Sequence, residues 1–479
     1  MTSIAKRLPK ALAAGLALLS FTAAHAQPAR RPGDDPAVRA EARDIFSHVI
    51  AMDTSVEGNR VPAMAAYLAR KFRAAGFPEA DIHIMPLDKT AALVVRYRGD
   101  GTGGRPILLM AHMDVVTAHR ADWRRDPFTL TEENGYFYGR GAFDIKNGLA
   151  TLTETFLQLR RRQFKPTRDL IIYFSGDEEI TGLTTQAVLR DHRDWVNAEF
   201  ALNSDSGGGA LNEKTGAPEA YALDTSEKTF ASYTFTAHNP GGHSSLPRPD
   251  NAIYDIVDAL SRVRGYTFPV VWNDTTIAYF KATGAVTPAP IGPAMIQFAA
   301  HPGDPRAAAV LSADPSFVGK VRTTCIPTLV QGGHADNALP QSVVATVNCR
   351  IFPGVTIEAV QARLQELAGT QVAVAPLDKY FSSDASPLRP DVLAAVTSAV
   401  HLHHPGVPII PSMASGASDG VFFRGAGIPT YGVYEAFIKR SEDFSHGLDE
   451  RVPVKSFYEG LDHWDVLLRT LASPSRPRR

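Results

Sequence analysis

The stretch YFSGDEEI, residues 173–180, sets three carboxylates side by side, Asp177, Glu178 and Glu179, directly after an apolar run. Like charges at this spacing repel, and an unpaired buried carboxylate is costly. Four other short stretches carry residues of matching chemistry. LLMAHMDVV gives His112-x-Asp114, and YGRGAFDIKNG gives Asp144 in a glycine-flanked turn. ALNSDSG gives Asp205, and FSHGLDE gives His446. Taken singly, each has an ordinary explanation: a structural histidine, a helix-entry aspartate, a solvated acidic turn. Taken together they are the nitrogen and oxygen donors that divalent zinc prefers, and bound cations would supply the positive charge the acids lack.

These residues need a scaffold that gathers them. AALVVRYRG, RPILLMAHMD and RDLIIYFSGDEE are short apolar runs that end in polar residues and read as strands. VPAMAAYLARKFRAAGF carries Met64, Leu68 and Phe72 at helical spacing, and KNGLATLTETFLQLRRR carries Leu149, Leu152, Phe156 and Leu159 on one helical face. Strands alternating with helices predict an α/β sheet covered on both faces, with its chemistry at the carboxyl ends of the strands. The candidate residues fall at those ends.

The texture changes near Thr225. A strand, a glycine-rich turn and a helix are followed by a Pro- and Ala-rich stretch of about residues 265–320, then two strands and a helix. The order β-α-β-β-α-β predicts a small α+β domain over residues 225–380, inserted between catalytic segments 27–224 and 381–479.

The ordered set AHMDVV, WRRDPF, GYFYGRGAFDIKNG and SGDEEITG resembles the M20 clan of dinuclear zinc exopeptidases, which includes glutamate carboxypeptidase, aminoacylase, succinyl-diaminopimelate desuccinylase and the carboxypeptidase S type. The likeness runs from about Asp44 to the C-terminal helix. It implies a phosphorylase/hydrolase-like catalytic domain with a lid or dimerisation insert. It also implies two divalent metal ions, zinc first, with cobalt or manganese as alternatives. His112 and Asp205 would bind one ion, Glu179 and His446 the other, and Asp144 would bridge them. Asp114 would bond the second imidazole nitrogen of His112. Glu178 would be the general base that takes a proton from the attacking water and delivers it to the leaving nitrogen. His243, in NPGGHSSLP, would stabilise the oxyanion, in relatives often from a partner subunit. Asn337, Arg350 and Gly416 would hold the substrate's terminal carboxylate. Relatives often carry an acidic residue or Met after the bridging aspartate; Ile145 stands here, and the family's cis peptide is expected at Asp144–Ile145. His334 and the run His401–His404 fall outside the matched motifs and read as surface or packing residues.

The resemblance is strongest to the carboxypeptidase S and N-fatty-acyl amino acid hydrolase branch. The expected activity is cleavage of a peptide or N-acyl amide bond beside a free carboxylate. A carboxypeptidase is the first reading; an aminoacylase or dipeptidase shares the same machinery. An aminopeptidase would want an acidic grip on the substrate's amine, which Arg350 and Asn337 do not offer. A catalytically silent binding protein would usually have lost one of the ligands or Glu178, and all are present.

The bulk properties agree. The chain has 479 residues, 49 Lys and Arg against 50 Asp and Glu, and so no net field that would draw nucleic acid or an acidic membrane. The first 26 residues, with AKRLPK, an apolar stretch and AHA, read as a cleavable signal peptide, which predicts a secreted or periplasmic protein. An uncleaved anchor is the alternative, disfavoured by the short apolar stretch, and no stable membrane association is expected. Cys325 and Cys349 lie in strand-like runs whose antiparallel pairing would set them opposite each other. An oxidising compartment would then permit a disulfide; two small core residues is the alternative. A homodimer through the inserted domain is an expected assembly.

Overall fold

The computed structural model describes residues 1–2 and 30–474. The leader read over residues 1–26 therefore lies, beyond its first two residues, outside the described part. Among the described residues no helix is long and apolar enough to cross a membrane.

A ten-stranded mixed sheet organises the larger part of the chain. At its centre, Ile107–His112, Leu170–Ser175, Phe200–Asn203 and Thr430–Gly432 run parallel. Their side chains alternate between two cores. Ile107, Leu109 and Ile172 point into a cluster with Leu149, Phe156 and Trp464. Leu108, Met110, Ile171 and Tyr173 point into another with Val188 and Phe423. Burial on both faces is why these strands read as unbroken apolar runs. The parallel register sets His112 opposite Ser175, and Met110 opposite Asn203. The strand ends therefore form one row, and the loops that follow them open on the same side.

Leu149, Leu152, Phe156 and Leu159 of helix Lys146–Arg161 enter the first of these cores as read, and the helix is buried along nearly its whole circumference besides. Helices Pro36–Ile50 and Val454–Ala472 pack against it, so it lies inside a helical layer rather than on top of one.

Residues Thr229–Pro376 build a second, four-stranded antiparallel sheet in the order Thr324–Gly332, Ser342–Ile351, Thr229–His238, Val372–Pro376. Helices Ala252–Gly265 and Ile357–Ala368 cover one face through Ile256, Ala259, Val360 and Leu364. The element order matches the sequence reading. Cys325 and Cys349 stand opposite in the ladder and form a disulfide with a Cα–Cα distance of 4.0 Å.

The Pro- and Ala-rich stretch folds into four helices, Asp274–Gly284, Ile291–Ala300, Pro305–Ala313 and Pro315–Val318. Pro305 and Pro315 sit at the first helical position of the last two, where no N–H is needed, and Asn273 with Thr276 forms a capping box for the first. This group has its own core of Phe280, Met295, Phe298 and Leu311. It is tied to the large sheet by Thr275 and Thr225, whose hydroxyls lie 2.6 Å apart.

Candidate metal centre

The row of strand ends delivers the expected donors to one place. His112 closes its strand, buried, with Nε2 3.0 Å from Asp144 Oδ1 and 3.7 Å from Asp205 Oδ1. On the other side of Asp144, His446 Nε2 lies 3.2 Å from Asp144 Oδ2 and 2.9 Å from Glu179 Oε2. Two three-residue groups thus form, His112–Asp144–Asp205 and Asp144–Glu179–His446, each with donor atoms within 4.8 Å of one another. Asp144 belongs to both, with a different carboxylate oxygen toward each imidazole.

Electrostatics explains why this cluster wants cations. Burial pushes the Glu178 carboxyl well above its ordinary range, and the neighbouring Asp205 pushes it further. Burial likewise lifts Asp205 to about 7. Hydrogen bonds that His446 donates to the Asp144 and Glu179 carboxylates raise it to about 10. Burial opposes charge on His112, but Asp205, Asp114 and Asp144 more than offset it and hold the ring protonated. Without ions the site therefore gathers protons to balance its carboxylates. Glu179 Oε1 is buried and has no hydrogen-bond partner, which marks an oxygen whose natural partner is a cation. The two carboxylate–imidazole groups fit two divalent ions.

Several residues hold this arrangement. The main-chain oxygen of Asp114 lies 3.0 Å from His112 Nδ1, while its carboxylate is 3.5 Å from the same nitrogen. The carboxylate, expected to fix the ring, stays within ion-pair reach of it and also holds the 176–179 turn, accepting the main-chain N–H of Glu178 at 3.1 Å and Glu179 at 3.0 Å. Asp177, the third acid of the cluster, points away from the centre. It accepts from Leu183 N, Thr184 N and the hydroxyls of Thr181 and Thr184, so it caps the start of helix Leu183–Asp191.

Glu450 was not singled out from the sequence. It is fully buried, pairs with Arg140 Nη1 at 2.7 Å, and accepts the N–H of Gly141, Phe143 and Asp144 at 3.1, 2.8 and 2.9 Å. The only signal was its place in HGLDERVP, four residues after His446. The Asp144–Ile145 peptide is cis, as expected. Lys146 anchors the other side of the turn, donating to Met52 O at 2.9 Å, and burial lowers it to about 7. His446 holds a φ of 60°, a conformation uncommon for a residue with a Cβ.

The expected substrate residues divide into two groups. Gly416 lines a cleft of about 310 Å³ that also exposes Asp205 and Ser206. Arg350 reaches this cleft's edge, where Nη1 donates to Ser415 O at 3.0 Å. His243 and Asn337 sit together at a separate two-stranded ladder, in which Gly242–His243 pairs with Ala338–Leu339 and Ser244 N donates to Asn337 O at 3.0 Å. Both are exposed, and His243 Nδ1 accepts locally from Ser245 N at 3.2 Å. Within one chain these two residues join neither ligand group. His334 is exposed, and His403 is spent on Asp462 at 2.9 Å, so neither takes part in the centre.

Comparison with known proteins follows this geometry. Residues 108–470 match the model of peptidase family M20/M25/M40. The chain is 28% identical over 356 residues to an N-fatty-acyl-amino acid synthase/hydrolase PM20D1 of Xenopus tropicalis, covering 72% of this chain and 69% of that protein. It is 23% identical over 386 residues to a probable carboxypeptidase S-like 2 of Dictyostelium discoideum, covering 79% and 74%. Among solved structures, the M20 family metallo-carboxypeptidase Sso-CP2 from Sulfolobus solfataricus superposes with a TM-score of 0.68 at 16% identity, over 90% of this chain and 99% of that one.

Proposed function

The chain belongs to the peptidase family M20/M25/M40, and from that premise we propose that it is a secreted two-metal amidohydrolase acting beside a free carboxylate. Its substrates are peptides or N-acyl amino acids. The observation that carries this reading is Asp144, shared between two carboxylate–imidazole groups.

His112 and Asp205 would hold one divalent ion and Glu179 with His446 the other, with Asp144 between them. Zinc suits this nitrogen and oxygen set, and cobalt or manganese would serve. Bound ions supply a Lewis acid for the carbonyl and lower the pKa of water near them. The chain's own part is acid–base work and positioning. Glu178 takes the proton from the attacking water and passes it to the leaving nitrogen. Adjacent Glu179 does a different task because its oxygens face His446 and the ligand group.

The free carboxylate would lie along the cleft at Gly416. A Cβ on Gly416 would meet nothing within 4 Å, so packing does not demand glycine there. A backbone that must be approached closely by a ligand does. Arg350, at the same loop, offers the planar fork that grips a carboxylate.

We assign His243 to the active site of a second copy. It is exposed, and it lies beside Asn337 at the two-stranded ladder. The second sheet presents an outer strand with Ile326, Leu329 and Val330 exposed, and the adjoining helix exposes Ile253, Tyr254 and Val257. An uncovered apolar edge of this kind suits a twofold interface. The leader sequence supports export. The reading is tested by loading the protein with zinc and assaying N-acyl amino acids and dipeptides before and after chelation. Full hydrolysis without metal, or none with it, ends the proposal.

A further inference from the structure

The cleft at Gly416 and a second cavity of about 340 Å³ share Asp205 and Ser206, and the second reaches Asp144 directly. Its inner walls are carbon, from Phe143, Ile145, Tyr434 and Ile438. Its serine hydroxyls are spent inside the protein. Ser204 Oγ donates to Met110 O at 3.0 Å, Ser206 Oγ to Asp224 Oδ2 at 2.7 Å and Ser445 Oγ to Asp443 Oδ1 at 2.7 Å. Beyond the ligand carboxylates two charges remain, Arg440 and Asp443, both exposed at the open end. Arg440 has no carboxylate partner among the described residues. Asp443 Oδ1 also accepts Ser445 N at 3.1 Å, whereas Oδ2 accepts from no described residue.

Both charges stand on a pinned turn. Arg440–Glu442 is a 3₁₀ helix, and Asp443 N donates to Arg440 O at 3.3 Å. Side chains three residues apart on such a turn lie on one face. Ser441 is tied to Glu213 through its N and Oγ at 3.0 and 2.6 Å, and Glu442 accepts from Tyr136 OH at 2.7 Å, so the turn is held from both sides. It presents a guanidinium and a carboxylate oxygen to one cavity, and the two do not pair with each other.

We infer that this cavity takes an acyl group that ends in an α-amino acid head, the γ-glutamyl group being the simplest, with Arg440 on the head's carboxylate and Asp443 on its ammonium. The inference rests on the proposed hydrolase reading and names a substrate class for it. A substrate whose free carboxylate lies at Gly416 and whose amide lies at the ligand groups crosses Asp205, the wall common to both clefts, and its acyl group enters this cavity. An ordinary α-aminoacyl group keeps its ammonium next to the scissile carbonyl, among groups committed to the ions, and does not reach the open end. A γ-glutamyl group carries its head beyond two methylene groups, which suit the carbon walls. The guanidinium fork then meets a carboxylate and the free Asp443 oxygen meets an ammonium, each a charge-assisted contact. A purely apolar chain leaves both charges unmatched and displaces water from them. In the reaction one water is consumed and the γ-amide C–N bond breaks. The water's oxygen goes to the acyl carbon, giving glutamate, and its proton goes to the leaving nitrogen, giving the free amino acid.

The test uses the zinc-loaded full chain and one amino acid carrying a γ-glutamyl, glutaryl, γ-aminobutyryl or butanoyl group. Glutaryl lacks the head's ammonium, γ-aminobutyryl its carboxylate, and butanoyl both. The γ-glutamyl substrate is expected to exceed butanoyl about tenfold or more in kcat/KM, with the other two between them. Arg440→Gln is expected to cut the γ-glutamyl-to-γ-aminobutyryl ratio about tenfold, and Asp443→Asn, which keeps an acceptor for Ser445, the γ-glutamyl-to-glutaryl ratio by a similar factor. Calorimetric titration of the Glu178→Gln protein should rank the four in Kd in the same order, and thermal denaturation confirms the fold of each variant. Butanoyl turned over as fast as γ-glutamyl, or a γ-glutamyl preference that survives both substitutions, overturns the inference while leaving the hydrolase reading intact. No hydrolysis of any of the four also overturns the inference; the hydrolase reading falls with it only if the N-acyl amino acids and dipeptides of its own assay are left uncut as well.

Discussion

One carboxylate, that of Asp114, accepts the main-chain N–H of Glu178 at 3.1 Å and of Glu179 at 3.0 Å. A single buried side chain thereby fixes the backbone of two neighbouring glutamates, one assigned to proton transfer and the other to metal. Asp114→Asn keeps the shape but offers one acceptor and an NH₂ group to two donors. The variant is expected to lose about 10- to 100-fold in kcat/KM, with weaker metal binding. Activity within threefold of the parent, measured at saturating zinc, would remove Asp114 from this role.

Glu450 plays the corresponding part for Asp144. It collects three main-chain N–H groups from the 141–144 turn and neutralises buried Arg140. Glu450→Ala strands that guanidinium, a loss expected to cost about 3–5 kcal/mol. Glu450→Gln retains part of the hydrogen bonding and isolates the effect on the turn. Thermal denaturation should rank the parent above Gln and Gln above Ala, and the zinc content of the Gln variant should fall. Parent-like melting in both variants would contradict the account.

Arg350 reaches Ser415 at the edge of the Gly416 cleft. If it grips a substrate carboxylate, Arg350→Ala raises KM for an N-acyl amino acid tenfold or more. It also erases the preference for that acid over the corresponding C-terminal amide. Arg350→Lys recovers charge but not the bidentate fork. A variant that still prefers acid to amide as strongly as the parent would show that the clamp lies elsewhere.

Glu154 gives a pH-dependent stability far from the chemistry. It is fully buried, one oxygen accepts from Gln158 and the other has no partner. Burial raises it to about 8 from 4.5. The native state then binds a proton that the unfolded chain has lost between those values, so this residue's contribution to stability declines as pH rises through that window. The limiting slope is about 1.4 kcal/mol per pH unit. Glu154→Gln removes it. The variant should match the parent near pH 4.5 and exceed it in melting temperature at pH 8–9. Equal pH profiles for the two proteins would refute this.

The assembly is tested by sedimentation. A dimer is expected for the parent. Leu329→Lys with Val330→Lys on the outer strand should yield a monomer that melts normally but has lost most activity, because His243 no longer reaches a second copy. A fully active monomer would place the oxyanion partner within one chain.

Much of this site was legible because its residues lie in short motifs at strand ends, and a parallel register aligns strand ends whatever the loop lengths. His112, Glu179 and Asp205 follow parallel strands, whereas Asp144 and His446 lie in loops, and it was the family resemblance that singled out all five as ligands. Two runs that pair about a loop set Cys325 and Cys349 opposite each other, and the structure decides for a disulfide over two small core residues. What stayed hidden has physical causes. Glu450 looks like any acid in a polar loop, and only the fold shows that it meets the 141–144 turn. That the Asp114 carboxylate also gathers the N–H groups of Glu178 and Glu179 depends on χ angles that sequence spacing does not set. Residues 265–320 lack strong apolar periodicity, since their helices are short and share a small core, so no helix could be read there. His243 carries a motif but no sign of which active site it serves.

The most direct test counts ions. Metal-free protein is dialysed against zinc, and bound metal per chain is measured for the parent, Asp205→Ala, Glu179→Ala and Asp144→Ala. The account predicts two ions in the parent, one in each of the outer variants, and neither held tightly in Asp144→Ala, because that carboxylate serves both sites. A parent that binds a single ion, or an Asp144→Ala variant that keeps two, would contradict it.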